Sequence, residues 1–381
     1  MRDLSAGKRA VYLDNAATTF IKPLSVRRAV MRAMAELTSP GRGGYAYAQN
    51  AADEAFLCRE RAARLFNMDK PENVVFTFNA THALNIAIFS AVPRGGRAVV
   101  TGFEHNSVMR PLYALGAEVI IARAAPFDRD AALESFFSAL RSGADAAVVN
   151  YASNVFGCVF PVYEAAEICR ERGIPLIVDA SQAAGALPVD FKRLGAEFIA
   201  MPGHKGLYGL QGTGLLLCKG TPKPLLFGGT GSASLLPGMP DMLPDIAEAG
   251  THNMPGIAAL SAGLSFVIET GAENILKAEN RLINYAAHRL SHIPGVTVYR
   301  PENAFGAGVM AFNIDGLPSE TAAQRLSERG IAVRAGLHCS PEAHRTAGTL
   351  PGGAVRVSVS AFTRRRDIGA LLRAVSLIAH T

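Results

Sequence analysis

The chain has 381 residues, of which 49% are hydrophobic and 18% are charged, and its formal net charge is +6. This length and apolar content exclude a disordered or fibrous chain and predict a large buried core in two or three domains. The basic residues, mostly arginine, are scattered rather than interleaved with aromatic residues on one face, which argues against a nucleic-acid partner.

The N-terminal residues and the cysteines predict a cytoplasmic location. The start, MRDLSAGKRA, is polar and lacks the apolar segment of a secretory signal, and no stretch reaches the roughly 18 apolar residues of a membrane span. The five cysteines are irregularly spaced, which favours free thiols in a reducing compartment over a disulfide framework. Histidines and cysteines are not clustered at zinc-ligand spacing, so we predict no metal site and no membrane association.

Apolar strand-like segments alternate with amphipathic helical segments up to about residue 219. The predicted strands are 73–78, 97–102, 117–122, 145–151, 174–180, 196–201 and 212–219. The predicted helices between them are 81–92, 106–115, 131–143 and 161–173. Near-continuous apolar strands joined by helices predict an α/β fold with a mostly parallel sheet that is covered on both faces.

The pattern changes after HNMPG. Two long helical segments, 257–269 and 272–292, are followed by strands at 296–300, 308–314, 330–336 and 354–360 and by helices at 319–328 and 366–379. We therefore predict a smaller C-terminal α+β domain. The predicted division is a large domain of residues 15–255 and a small domain formed by residues 1–14 and 256–381.

Polar residues follow three of the predicted strands. FNATHALN opens a helix, where free backbone N–H groups near Ala80 and Thr81 suit a phosphate, although Thr81 alone is also compatible with a helix N-cap. TGFEHNS places His105 where it can stack on a planar ring or be an ordinary loop histidine. YASNVFG places Asn154 either as a ligand-binding amide or as a turn residue. Ligands of open α/β sheets bind at the carboxyl ends of strands, so these residues are candidates for a site.

An aspartate and a lysine at two later strand ends indicate one cofactor. LIVDASQAAG ends an apolar strand with Asp179 and places Gln182 one helical turn later, and MPGHKGLYG places Lys205 beyond the next strand. A buried carboxylate needs a cation, and a buried lysine is costly unless it is paired, neutral or covalently bound. Pyridoxal phosphate (PLP) meets both needs, because it bonds a lysine and pairs its pyridine nitrogen with an acid. The pattern therefore predicts a PLP site.

Five motifs in the same order resemble class V aminotransferase-fold enzymes, specifically the cysteine desulfurase and selenocysteine lyase family. They are DNAATT, DASQAAG, GHKGLYG, AGTHN and RAGLHC, and the similarity runs from residue 11 to residue 362. The resemblance implies a fold-type I PLP-dependent transferase, with a mostly parallel sheet in the large domain and an α+β C-terminal domain. It also implies a homodimer.

The resemblance assigns cofactor roles residue by residue. Lys205 matches the Schiff-base lysine, Asp179 the partner of the pyridine nitrogen, and His105 the histidine stacked on the ring. Thr251 matches a phosphate contact donated by the other subunit. The remaining cofactor-binding candidates are Gln182 and Asn154 at the ring hydroxyl or substrate, and Ala80, Thr81 and His204 at the phosphate.

The resemblance also assigns the substrate residues. Arg356 matches the arginine that binds the substrate carboxylate, together with Asn154, and Cys339 matches the cysteine that takes up sulfur. His338, the neighbour of Cys339, is expected to favour the thiolate. The other four cysteines are expected to be small core or turn residues.

Two features bear on the residues that would surround the phosphate, the phosphate cup, and on where the sulfur goes after Cys339. Many relatives have Ser or Thr where this chain has Pro202, so the phosphate cup here is either looser or completed by Thr81, His204 and backbone groups. The Cys339 loop is short, which resembles the subgroup whose members often need a separate protein to collect the sulfur.

The predicted function is that of a PLP-dependent cysteine desulfurase, which converts L-cysteine to L-alanine and transfers the sulfur to Cys339 as a persulfide. The alternatives are a selenocysteine lyase, another class V activity such as transamination or kynureninase-type cleavage, and a catalytically silent relative. A nucleotide-binding protein is disfavoured because neither GxGxxG nor GxxxxGK[ST] occurs.

Overall fold

The computed structural model describes residues 10–41 and 43–380. The strands in these ranges are β1 (Val11–Tyr12), β2 (Val74–Thr77), β3 (Arg97–Thr101), β4 (Glu118–Ala122), β5 (Ala146–Asn150), β6 (Leu176–Asp179), β7 (Phe198–Pro202), β8 (Gly214–Cys218), β9 (Val296–Val298), β10 (Val309–Ile314), β11 (Ile331–Ala332) and β12 (Val355–Ser358). The helices are α1 (Leu24–Glu36), α2 (Ala46–Leu65), α3 (Ala80–Ala91), α4 (Asn106–Ala114), α5 (Arg129–Ala139), α6 (Val162–Glu171), α7 (Phe191–Leu194), α8 (Met254–Thr270), α9 (Ala272–Ser291), α10 (Ser319–Glu328), α11 (Pro341–Thr346) and α12 (Arg365–Ala379).

A seven-stranded sheet forms the centre of the fold. Its strand order is β2-β8-β7-β6-β5-β3-β4. The pairs from β7 through β4 are parallel, and β8 runs antiparallel to both of its neighbours. The prediction of an α/β fold with a mostly parallel sheet is therefore confirmed, and all seven strands predicted between residues 73 and 219 are present.

Both faces of this sheet are buried, which explains the continuous apolar strands. Successive side chains of a strand point to opposite faces. In β5, Val149 packs into the core cluster on one face and Val148 into the cluster on the other. Burial of each such side chain stabilises the fold by about 1.5–3 kcal/mol.

The parallel strands bring the candidate residues to one edge of the sheet. β3, β5, β6 and β7 point their carboxyl ends the same way, and the register pairs Asn150 with Asp179 and Asp179 with Ala200. His105 and Lys205 follow β3 and β7 by a few residues. This edge is where an open α/β sheet binds ligands.

The C-terminal residues form a second core. β12, β10 and β9 make an antiparallel sheet, and β1 pairs with β11 in parallel. Side chains of α9, α10 and α12 pack on this sheet, with Leu290, Leu326 and Leu371 fully buried. Arg356 lies on β12, and Cys339 lies between β11 and α11.

The fold differs from or exceeds the prediction in several places. The predicted strand 330–336 contains only Ile331–Ala332 as regular strand. The sequence pattern did not predict α1 or α2, which both pack against α8. The predicted domain division at residue 255 stays a prediction, and it falls in the first turn of α8. Of the N-terminal segment assigned to the small domain, residues 1–14, the first nine lie outside the described residues.

Among the described residues, no single helix has both the length and the apolar composition of a membrane span. α8 and α9 meet that criterion only when taken together, and they are bent by 79° at the break between them.

Gly185 places the turn after β6 against the loop that carries Lys205. Its φ is +92°, and a Cβ at this position would lie 2.1 Å from the carbonyl oxygen of Gly206. Gly116 has a similar φ of +66° but open space around it.

We expect Gly116→Ala to lower the free energy of unfolding by about 1–2 kcal/mol through its left-handed backbone alone. Gly185→Ala should lower it further, by about 1–3 kcal/mol more, because the methyl group also displaces Gly206. Urea unfolding of both variants measures the difference, and equal losses would contradict the close approach.

Candidate active site

Eight of the eleven predicted site residues line one cavity of about 110 Å³ at the carboxyl edge of the seven-stranded sheet. They are Ala80, Thr81, His105, Asn154, Asp179, Gln182, His204 and Lys205. Pro202 also lines this cavity. Cys339, Thr251 and Arg356 lie outside its lining.

Lys205 lies in the turn after β7, which the N-terminal segment holds in place. Backbone and hydroxyl groups of Thr19 donate hydrogen bonds to the carbonyl of His204, and the Thr19 hydroxyl also approaches the carbonyl of Lys205 at 3.2 Å. Desolvation lowers the pKa of Lys205 to about 8, and the charges of Arg356 and Arg334 act in the same direction. This amine therefore loses its proton much closer to neutral pH than an ordinary lysine does, which favours its use as a nucleophile or base.

Asp179 is buried at the end of β6, and its Oδ1 accepts a hydrogen bond of 2.9 Å from the backbone N–H of Ser181. Among the described residues no cation comes within ion-pair distance of this carboxylate. Lys205 lines the same cavity, and the charge of Asp179 partly offsets the desolvation of its amine. The cavity thus keeps an acid and an amine apart, with space between them.

His105 caps a helix and lines the cavity at the same time. Its Nδ1 accepts a hydrogen bond from the backbone N–H of Ser107 at the start of α4. Burial lowers the pKa of His105 to about 4. The imidazole is therefore neutral near pH 7, and the structural and ligand-facing interpretations of His105 are compatible.

The other end of the cavity carries hydroxyls and an unpartnered imidazole. Asn79, not Thr81, caps α3 by accepting a hydrogen bond from the backbone N–H of His82, so the N-cap alternative for Thr81 is wrong. The Thr81 hydroxyl instead lies 2.8 Å from the hydroxyl of Ser107. Nδ1 of His204 is buried without a hydrogen-bond partner. These groups at a helix N-terminus suit an anion.

Cys339 is exposed on a turn that the cavity residues hold. His338 and Cys339 both have left-handed backbones, with φ of 53° and 56°. The backbone N–H of Asn106 donates a hydrogen bond of 2.8 Å to the carbonyl of Cys339. The amide of Asn154 donates one to the carbonyl of His338 and accepts one from the hydroxyl of Ser340. The sulfur nucleophile is thus tied to the residues after β3 and β5.

His338 does not act on Cys339 as the sequence analysis expected. Its ring is buried, and Nδ1 lies 3.3 Å from Nε2 of His344. Burial and the nearby charge of Arg356 lower the pKa of His338 to about 3. A neutral imidazole supplies no positive charge to a thiolate, so this expectation is wrong.

Arg356 is buried beside the cavity and is already paired. Its Nη2 lies 2.6 Å from Oδ1 of Asp14, and its Nη1 donates a hydrogen bond to the carbonyl of Asn154. Arg334 binds the other oxygen of Asp14. Nε of Arg356 is buried without an acceptor. The guanidinium is thus fixed in orientation and keeps one donor unused.

The remaining candidates lie away from the cavity. Thr251 is exposed and contributes nothing to the cavity of its own chain. Cys58, Cys158, Cys169 and Cys218 are buried, as predicted for core and turn cysteines. Burial raises the pKa of Cys158 and of Cys169 to about 12, which leaves both as inert thiols.

Sequence reasoning missed two buried acids of this site. Asp14 opens the DNAATT motif, but only the fold pairs it with Arg356. Glu104 precedes His105 and is fully buried, and its Oε1 accepts hydrogen bonds from the Thr101 hydroxyl and the Asn150 backbone. A charged residue three positions after the apolar strand β3 was the available signal for Glu104.

A group of metal-type donors also appears away from the cavity, where the sequence predicted none. The exposed side chains of His288, His292 and Glu302 bring their donor atoms within 4.8 Å of one another. Nδ1 of His288 lies 2.9 Å from a carboxylate oxygen of Glu302. The spacing of two histidines by four residues on α9 was the available signal.

The Aminotransferase class-V family model matches residues 11–371. A probable cysteine desulfurase from Methanothermobacter thermautotrophicus is 32% identical over 99% of this chain and 97% of that protein. A probable cysteine desulfurase from Halalkalibacterium halodurans is 31% identical over 96% of this chain and 92% of that protein.

Two solved structures are similar over nearly the whole chain. The apo structure of cysteine desulfurase from Thermococcus onnurineus NA1 aligns with a TM-score of 0.90 and 29% identity, covering 97% of this chain and 95% of that one. The cysteine desulfurase CsdA (S-sulfonic acid) from Escherichia coli aligns with a TM-score of 0.84 and 26% identity, covering 98% and 95%.

Glu104 should make the stability of the protein depend on pH. Burial raises the pKa of this carboxyl from 4.5 to about 8, so the folded state holds a proton that the unfolded chain releases between these values. The contribution of Glu104 to stability is therefore full at low pH and falls as pH rises through this window.

Glu104→Gln keeps an oxygen acceptor for Thr101 and Asn150 and removes the ionisation. We expect the variant to gain stability relative to the wild type as pH rises from 5 to 8.5, measured by urea unfolding. Glu134→Gln on α5, where the carboxylate is exposed, is the control. A difference for Glu104→Gln that stays constant over this pH range would contradict the buried, protonated carboxyl.

Proposed function

The chain belongs to the aminotransferase class-V family, and from this membership and the site geometry we propose that it is a PLP-dependent cysteine desulfurase. The enzyme converts L-cysteine to L-alanine and transfers the sulfur to Cys339 as a persulfide. The observation that carries the proposal is one cavity that joins Lys205, Asp179 and His105, beside an exposed cysteine on a turn that is hydrogen-bonded to Asn154 of the same cavity.

The residues of the cavity fit PLP. Asp179 is a buried carboxylate that lacks a cation, Lys205 is an amine with a lowered pKa, and His204 offers an unpartnered ring nitrogen near Thr81. Asp179 would hold the pyridine nitrogen, Lys205 the aldehyde carbon, and Thr81 with His204 the phosphate. PLP bound here supplies an electron sink that makes the Cα–H bond of an amino acid acidic and its Cβ–S bond cleavable.

Lys205 moves the substrate proton. Its amine, with a pKa of about 8, is protonated and deprotonated in comparable amounts at mildly alkaline pH, so it can accept the Cα proton and return it. His105 lines the cavity as a neutral imidazole. It therefore adds no positive charge that would pair with Asp179 in place of the cofactor.

Arg356 orients the substrate. Its guanidinium is held by Asp14 and by the carbonyl of Asn154, so it does not need to be ordered when the substrate arrives. Arg334 binds the other oxygen of Asp14 and so helps to hold this carboxylate in place. The α-carboxylate of cysteine would bind at Arg356.

Cys339 accepts the sulfur. Its thiolate attacks the substrate Sγ, a new S–S bond forms on Cys339, and the Cβ–S bond breaks with its electron pair left on the organic fragment. That fragment takes up a proton at Cβ and leaves as alanine. The left-handed turn at His338 and Cys339 keeps the sulfur at the surface of the protein, where a second molecule can reach it.

A homodimer with a shared site is part of the proposal. Thr251 is exposed and lies outside its own cavity, which supports its donation to the phosphate group in a second subunit. The cytoplasmic location stays a prediction from the sequence.

The direct test uses protein loaded with PLP, L-cysteine and a thiol reductant. Equal amounts of alanine and sulfide would support the desulfurase. A visible absorbance band without alanine would move the substrate to selenocysteine or another amino acid.

Cys339→Ala should still bind PLP and show its visible band, but it should form no persulfide from L-cysteine, because the accepting thiol is gone. Mass spectrometry of the intact protein after one turnover measures the added sulfur. Cys158→Ala, which removes a buried thiol, is the matched control and should keep wild-type output. Persulfide formation at the wild-type rate in Cys339→Ala would refute the role of Cys339.

Lys205→Ala should lose covalent attachment of PLP. After borohydride reduction, the wild-type peptide that contains Lys205 should carry the added cofactor mass and the variant should carry none. Lys219→Ala, which removes an exposed lysine after β8, should behave like the wild type. If the added mass were found on another lysine of the wild type, that lysine and not Lys205 would be the attachment site.

A further inference from the structure

The surface around Cys339 carries a group of arginines that the reaction does not use as catalysts. We name it the Cys339 face and define it by Cys339, Leu337 and the exposed arginines Arg110, Arg123, Arg334 and Arg345. We propose that this face docks a protein acceptor whose reactive cysteine lies in an acidic surface. The inference rests on the proposed desulfurase function and deepens it.

Hydrogen bonds place α4 against Cys339. The backbone N–H of Asn106, the first residue of α4, donates to the carbonyl of Cys339 at 2.8 Å. Arg110 lies one helical turn further on and is exposed. Within residues 10–41 and 43–380, Arg110 has no ion-pair partner. Its positive charge is therefore available to a molecule that approaches Cys339.

Two carboxylates each bridge a pair of arginines beside the turn. Glu342 is buried between Arg123 and Arg345, and contacts Arg123 at 2.9 Å. These two arginines keep about half of their side chains exposed, at 46% and 50%. The Glu342 carboxylate fixes the orientation of both guanidinium groups. The N–H donors that do not bind Glu342 stay free to bind a molecule in solvent.

Asp14 bridges Arg334 and Arg356 in the same way. Arg356 is buried, so the face itself carries four exposed arginines, Arg110 included, against the two carboxylates, an excess of two positive charges near the exposed thiol. Such a concentration of one sign attracts and orients an oppositely charged partner.

The chemistry of the transfer favours a protein over RNA. The thiolate of an acceptor cysteine attacks the outer sulfur of the Cys339 persulfide, and the S–S bond on Cys339 breaks. Its electron pair returns to Cys339 as a thiolate, and the acceptor becomes the persulfide, so no further oxidant or reductant is needed. RNA lacks an ordinary thiol. Leu337, 39% exposed beside the cysteine, adds an apolar contact suited to a protein surface.

The test compares sulfur transfer to two cysteine peptides of equal length, one with flanking glutamates and one with flanking lysines. Near 20 mM salt we expect the acidic peptide to react about tenfold faster, and near 0.5 M salt the preference should shrink toward unity. Alanine formation with dithiothreitol, a neutral acceptor, is measured in parallel.

Arg110→Gln and the double variant R110Q/R345Q remove charge from the face. We expect about threefold and tenfold slower transfer to the acidic peptide, with alanine formation in dithiothreitol unchanged. The control R289Q/R366Q removes two exposed arginines of α9 and α12 and should leave both rates as in the wild type. Arg110→Gln breaks no ion pair among the described residues, so it tests the charge even if the double variant misfolds.

Three results would overturn the proposal. Equal rates of sulfur transfer to the two peptides at low salt would show that the face has no preference for an acidic acceptor. An RNA that competes better than a cysteine-free acidic peptide of the same charge would assign the face to RNA. Absence of alanine from L-cysteine with dithiothreitol would refute the proposed function itself, and the docking proposal would fall with it.

Discussion

The separation of an acid and an amine inside one desolvated cavity is the constraint on which the rest of the site depends. Asp179 and Lys205 sit at the ends of the adjacent parallel strands β6 and β7, and the register of those strands fixes where each chain leaves the sheet. The charge of Asp179 raises the pKa of Lys205 and so favours its ionised form, but no ion pair forms between them. A buried charge without a partner is costly, so the folded protein holds both groups ready for a ligand that satisfies them. The glycine contact between Gly185 and Gly206 maintains this arrangement, because it locks the two turns together.

Asn154 connects the cavity to the turn of Cys339 and to Arg356. Its side chain binds His338 and Ser340, and its carbonyl accepts a hydrogen bond from Arg356. Two consecutive left-handed residues cost about 1–3 kcal/mol each. The hydrogen bonds from Asn106 and Asn154 offset this cost and hold Cys339 at the surface. A single asparagine after β5 therefore holds two C-terminal segments together, the turn of His338 and Ser340 and the strand of Arg356.

The charge distribution follows from burial. His105, His204 and His338 are all neutral near pH 7, because desolvation lowers the pKa of each. The fixed positive charge near the cavity comes instead from arginines, which stay protonated and which Asp14 and Glu342 hold in orientation. This division leaves Lys205 as the titratable amine of the cavity and the arginines as the source of fixed positive charge beside it.

The sequence alone determined the α/β class, the seven strands of the central sheet and the candidates at their carboxyl ends. Apolar strands and strand-end polar residues are local patterns, and the motifs around Lys205 and Cys339 carried the resemblance to the family. Only the tertiary structure decided that Asp14 pairs with Arg356. These two residues are 342 positions apart in the sequence. It also decided that His338 is buried and neutral, and that Asn79 rather than Thr81 caps α3. Burial and long-range pairing set these outcomes, and both depend on how distant segments pack, which no local pattern of the chain encodes.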